Sequence, residues 1–243
     1  MLKLEDTETK TFDKSSQIHH MSYSTGLNLN SPSEFTFENL REKPIITDPN
    51  KQTSATFDYE LADWLWYKVE GSPGKEISVY VDTNKNIGKL EVSKKEFKHI
   101  KKQFQIVESQ IDPVTGNAFD LKVTKKEKFS SETDIRIFKG KNLKKEYGEG
   151  TTGVWDTEDM NLVYEDDDMK LIKETLSHEI GHIFGLDHPL DSLETRAYFS
   201  DTIMNCCEGF TDTLLTSGDL GLLSYGWLHT FPHMHQNQNF STP

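Results

Sequence analysis

Short segments with a definite apolar period are separated by long polar stretches along this chain. Ile77-Ser78-Val79-Tyr80-Val81 alternates as a strand does. Ser93-Lys94-Lys95-Glu96 has the form of a capping box, and Phe97, Ile100, Phe104, Val107 and Ile111 follow at intervals of three and four. That spacing predicts an amphipathic helix of about 18 residues, ended by Asp112-Pro113 and Gly116-Asn117. Phe119 to Val123, Asp134 to Phe138 and Met160 to Tyr164 read as further strands, with an edge strand at Val154-Trp155 inside a glycine-rich loop.

Asp166-Asp167-Asp168 suits the positive end of a helix dipole, and Leu171, Ile172, Leu176, Ile180, Ile183 and Phe184 recur at helical spacing after it. An irregular stretch then runs to Thr216-Ser217-Gly218-Asp219, which caps a final helix carrying Leu220, Leu222, Leu223 and Trp227. Strands first, with helices gathered on one side, predict an α+β domain with a mostly parallel, mixed sheet. Residues 1–56 are rich in Ser, Thr, Asn, Asp and Glu, and are expected to form a polar arm or a pro-segment. The folded domain is expected over 57–228, beginning with the apolar cluster Leu61, Trp64, Leu65 and Trp66, and 229–243 is expected to be a loose polar tail.

Composition narrows the function. A mean hydropathy of -0.66 with 34% hydrophobic residues fits one core plus polar segments. A net charge of -13 argues against nucleic acid, whose phosphates require a basic footprint. The lysines between residues 89 and 145 read as a solvated face. Cys206 and Cys207 are adjacent, with α-carbons about 3.8 Å apart, too close for the geometry a disulfide prefers. No apolar run of about 18 residues is present, so no membrane span is expected. The sequence shows no signal peptide, and localisation stays open. A monomer is expected. Asp82 to Gly88 resembles the opening of a calcium loop, but its glycine falls one place late and the closing Glu is misplaced. A plain turn is expected there, and Ca2+ has no clear motif.

The chemistry is concentrated in Ser177-His178-Glu179-Ile180-Gly181-His182-Ile183-Phe184-Gly185-Leu186-Asp187-His188-Pro189. On a helix, His178 and His182 project from one face with β-carbons about 5–6 Å apart, a gap one zinc ion bridges. Glu179 lies one step round, placed to act as general base on a water. Gly185 takes positive φ without penalty and turns the chain so that His188 becomes the third ligand. Three histidines with an open position describe a catalytic Zn2+ site rather than a closed structural one. Asp187 is a candidate support for these ligands. The five fixed identities span eleven positions. At about one in twenty each, over about 230 windows, coincidence is on the order of one in ten thousand.

His178-Glu179-x-x-His182-x-x-Gly185-x-x-His188 resembles the metzincin signature, and Met204 in Ser200-Asp201-Thr202-Ile203-Met204-Asn205 stands where that clan has its Met-turn. Pro189, and Leu215 to Asp219 leading to Tyr225-Gly226, are similar to serralysin-type and, less closely, matrixin-type catalytic domains. The resemblance implies a sheet with an antiparallel edge strand at the cleft rim, a backing helix, an active-site helix and a C-terminal helix. It further implies a zinc metalloendopeptidase acting on protein or peptide substrates laid along the edge strand. Cys206 stands where serralysins place a Tyr, their calcium-binding repeats are absent, and the first residues hold no Cys for a matrixin switch, leaving a carboxylate such as Asp48 for any latency. Phe210 to Leu214 are expected to wall a substrate pocket. The rival readings are a catalytically silent or latent metal-stabilised binding module and a small-molecule hydrolase.

Overall fold

A computed structural model describes residues 45–69, 74–126, 133–148, 151–189, 201–205 and 214–230. In chain order its elements are β1 (Ile45–Thr47), β2 (Thr56–Asp58), α1 (Tyr59–Val69), β3 (Lys75–Val81) and α2 (Lys94–Thr115). They continue with β4 (Phe119–Thr124), β5 (Ile135–Lys139), α3 (Leu143–Tyr147), β6 (Gly153–Asp156) and β7 (Asn161–Tyr164). The last are α4 (Met169–Ile183), β8 (Leu186–Asp187) and α5 (Ser217–Thr230). The period-two segments pair as one sheet in the order β4-β3-β5-β7-β6. β3 is parallel to β4 and β5, β5 is parallel to β7, and β6 closes the edge antiparallel to β7. The five helices among the described residues complete a mixed α+β fold. Ile77, Ser78, Val79, Tyr80 and Val81 are all buried, because a central parallel strand is covered on both faces.

The capping box forms as the pattern predicts. Ser93 Oγ accepts the Glu96 N–H at 3.3 Å, and the Glu96 carboxylate accepts the Ser93 N–H. Ile100, Phe104, Val107 and Ile111 are completely buried and turn α2 toward α4, α5 and β4. The helix runs through Asp112-Pro113 to Thr115 and stops at the expected Gly116. Pro113 sits exposed in its last turn, where water can reach the carbonyl it leaves without a donor, and Gly116, with φ +66°, ends it.

A second, three-stranded antiparallel sheet, β1-β2-β8, lies outside the predicted strands. It changes the reading of the amino-terminal segment. Residues 1–44 lie outside the described residues, but Ile46, Thr53, Ala55 and Thr56 are buried, so folded packing begins well before residue 57. The Asp48 oxygens accept the backbone N–H groups of Asn50, Gln52 and Thr53 in its own turn. Tail residues 231–243 are outside the described set, while His229 still belongs to α5. The apolar cluster after Phe57 is a helix, α1, whose first turn is held by Asp58 Oδ1 accepting the Glu60 N–H at 2.8 Å.

The turn at Asp82 is built on that residue's side chain. Its carboxylate accepts four backbone N–H groups, from Asn84, Asn86, Ile87 and Gly88. Burial opposes the charge, yet these donors outweigh it and hold Asp82 below the usual carboxylate range. Its oxygens are therefore already engaged. Among the described residues, no helix is long and apolar enough to cross a membrane.

Candidate metal centre

Helix α4 is anchored at its start by Asp168, whose carboxylate accepts the N–H groups of Lys170 and Leu171. Ile172, Leu176, Ile180 and Ile183 bury one face of it, which fixes the rotation of the helix and so the direction of His178 and His182. A β-carbon on Gly181 would lie 2.6 Å from Met204 Sδ, so the absence of a side chain there lets the fully buried Met204 pack directly under the helix. The chain leaves α4 through Gly185 at φ +98°, where a β-carbon would stand 2.9 Å from the Phe57 ring. Both the backbone angle and the space demand glycine. Strand β8 then delivers His188.

His178 Nε2 lies 3.2 Å from His182 Nε2 and 3.0 Å from His188 Nε2. Each of these three histidines offers one ring nitrogen, all within 4.8 Å of one another, and this group could hold a metal ion. The hydrogen bonds on the far side of the rings specify the tautomers. His178 Nδ1 meets the Ile203 carbonyl at 2.8 Å, and His182 Nδ1 meets the Leu186 carbonyl at 2.7 Å. A carbonyl only accepts, so each Nδ1 carries the proton and each Nε2 presents a bare lone pair. Two bare lone pairs facing each other repel unless a cation lies between them, and the donor set therefore fits a metal. Burial, and then the neighbouring His182, push His178 down to about 3, against the pull of the Ile203 carbonyl. The imidazole is neutral, as a ligand must be.

Asp187 touches His188 through the backbone. Its Oδ1 accepts the His188 N–H at 2.7 Å and stands 3.7 Å from His188 Nδ1, too long for a hydrogen bond. Glu179 is 7% exposed and lies outside the three-histidine group. Its carboxylate accepts the Trp155 backbone N–H on edge strand β6. Burial pushes its pKa up to about 8, against that one donor. A β-carbon on Gly153 would lie 2.7 Å from Glu179 Oε1, so this glycine makes the space in which the carboxylate sits against the strand.

The structure thus brings together the three histidines read from the motif and seats the fourth residue, Glu179, against edge strand β6. Cys206 and Cys207 lie outside the described residues, as do residues 210–213 of the wall expected from Phe210 to Leu214. What the sequence reading missed is the backbone: the Trp155 N–H, and the carbonyls of Leu186 and Ile203, which any residue type supplies. Gly153 was legible only as part of a loose glycine-rich loop. Neither models of known protein families nor curated proteins give a match to this chain. The family resemblance therefore stands on the motif residues.

Proposed function

We propose that this chain is a zinc-dependent endopeptidase of the metzincin type, with His178, His182 and His188 as ligands and Glu179 as general base. The observation that carries the reading is the convergence of three imidazole Nε2 atoms beside a buried carboxylate that is not one of the group. Nitrogens bound at about 2.0–2.1 Å on a tetrahedral zinc ion lie about 3.3 Å apart, close to the 3.0 and 3.2 Å separations measured from His178. When bound, zinc supplies a Lewis acid that acidifies a water and polarises a carbonyl.

The remaining work falls to the protein. Ile203 and Leu186 hold the rings of His178 and His182 in the ligand tautomer. Glu179 in its ionised form, which a cation held by the three histidines would favour over the buried neutral carboxyl, takes a proton from the attacking water and returns it to the leaving amine. Trp155, through its backbone N–H, fixes the carboxylate against β6. The same strand forms one edge of the five-stranded sheet and runs antiparallel to its neighbour, which supports an extended peptide as substrate.

The test is cleavage of an unfolded protein by the zinc-loaded chain, with and without a chelator. Glu179→Gln is expected to lower kcat/KM by about 10²–10⁴-fold while zinc remains bound in equilibrium titration. Full activity in that variant would remove the proposed base. Zinc binding with no cleavage of any member of a peptide library would favour the metal-stabilised binding module instead.

A further inference from the structure

The three histidines of the centre are held from behind by one short segment that lies far from them in sequence. For His182, the ring is oriented by the Leu186 carbonyl, and Leu186 is registered against Phe57 in the β2–β8 pair. The Asp58 N–H donates to the Gly185 carbonyl at 2.7 Å, which fixes the turn just before Leu186. Thr56 Oγ1 donates to the His188 carbonyl at 3.1 Å, and Thr56 is registered against Asp187, whose carboxylate accepts the His188 N–H.

His178 is reached by a longer relay. Its ring is oriented by the Ile203 carbonyl, and the Ile203 N–H donates to Asp219 Oδ2 at 3.1 Å. Thr53 Oγ1 donates to the other oxygen, Asp219 Oδ1, at 3.0 Å. Ser54 Oγ adds a bond to Asp201 Oδ2 at 2.9 Å, on the same loop as Ile203. Phe57 locks the segment in place. It is completely buried, and its ring fills the space left by Gly185 on one side and Gly226 on the other, where added β-carbons would come within 2.9 and 2.4 Å of it.

We infer that residues 53–58 are a positioning strap for the metal centre, with Thr53 and Thr56 as positioning residues that set the ligand geometry through Asp219 and β8. The inference rests on the proposed metal site, and extends it from the motif helix to a segment more than a hundred residues earlier in the chain. A segment that only contributed packing would stabilise the fold without changing how well three preset nitrogens hold an ion. A segment that sets their mutual positions changes that affinity directly, because ligands displaced from the favoured geometry bind less well.

The experiment uses the full chain carrying Thr53→Val or Thr56→Val, with Thr53→Ser and Thr56→Ser as rescue variants. Thr115→Val serves as a control, since the Thr115 hydroxyl is also buried and hydrogen-bonded, to the Ile111 carbonyl at the far end of α2. Zinc affinity is measured by competition with a chromophoric chelator, alongside the thermal midpoint of the metal-free protein. Each valine variant is expected to weaken zinc by about tenfold, the lower end of what loss of a ligand's supporting hydrogen bond costs. The serine variants restore affinity, and the control loses stability without losing affinity. Affinity within twofold of the wild type in both valine variants would overturn the inference, as would an equal loss in the control. Should the wild-type chain hold no zinc, the proposed function fails by itself. The strap is then decided by hydrogen exchange in the metal-free protein: amides of residues 185–188 exchanging no faster in Thr56→Val than in the wild type would overturn it.

Discussion

Helix α4 brings His178 and His182 to the centre one turn apart, whereas His188 arrives on the far side of a glycine turn and a two-residue strand. The helix carries its own geometry. Backbone hydrogen bonds within it fix the four-residue spacing, and its buried stripe fixes its rotation. The two residues of β8 carry no such information. Leu186 and Asp187 become a strand only because β2 supplies partners from about 130 residues earlier. The two helix histidines therefore keep their mutual spacing whatever happens elsewhere and take only their ring orientation from remote contacts, while His188 takes its whole position from one.

The contrast is broken most forcefully at Phe57, where β2 is anchored. Phe57→Ala removes a completely buried ring that meets Trp227 edge-on at 6.1 Å. The expected cost is about 3–5 kcal/mol of stability, read from urea unfolding of the metal-free protein. Hydrogen exchange is expected to quicken at residues 185–188 well before it does in α4. Uniform loss of protection across both regions would show that the two are not separately held.

Gly185→Ala probes the joint between them with a smaller effect. The new side chain meets both a φ of +98° and the ring of Phe57, and about 2–4 kcal/mol is expected from strain and overpacking together. Equilibrium denaturation measures it, and a loss below about 1 kcal/mol would mean that the turn relaxes freely and does not define the position of His188.

The smallest effect sharpens the other side of the comparison, since it acts on α4. His99 on α2 meets Ser177 Oγ at 3.1 Å and the Lys173 carbonyl at 3.2 Å, both on α4. Burial lowers its pKa to about 4, against the Lys173 carbonyl, which pulls it up, and with Lys173 and Lys102 adding to the depression. In the unfolded chain the value returns to about 6.5. Between these two values the unfolded state binds a proton that the folded state refuses. The stability associated with neutral His99 is thus complete above pH 6.5 and is lost as pH falls from about 6.5 to about 4. His99→Gln is expected to flatten the pH dependence of the unfolding free energy in that window. An unchanged slope would assign it to other groups.

Much of the molecule was readable before any coordinates. The capping box at Ser93 rests on contacts within a few residues and formed as read, and Ile77–Val81 formed the strand its alternation predicts, paired with β4 and β5. The antiparallel edge at Val154-Trp155 was also legible, through its glycines and its apolar pair. Helix α1 is not legible in the sequence although Leu61, Ala62 and Leu65 follow Asp58 at helical spacing, because the aromatic residues set among them blur the period. The early strands were missed for a different reason. Ile45 to Asp58 is polar and short of periodic signal, and its order comes from Asp219, Leu186 and Trp227, none of which is near it in sequence.

The sequence by itself determined which atoms converge: two imidazoles on one helical face, a carboxylate between them, a glycine where the chain must turn and a third imidazole beyond it. Those features follow from covalent spacing and from the helix period, which are local. Only the tertiary structure decided which nitrogens face the centre and what holds them there. The tautomers are set by the carbonyls of Ile203 and Leu186, and the burial of Glu179 is set by Gly153 and Trp155 on a separate strand. Backbone groups are the same in every residue, so no amino-acid pattern announces them, and their roles appear only once the chain has folded back on itself.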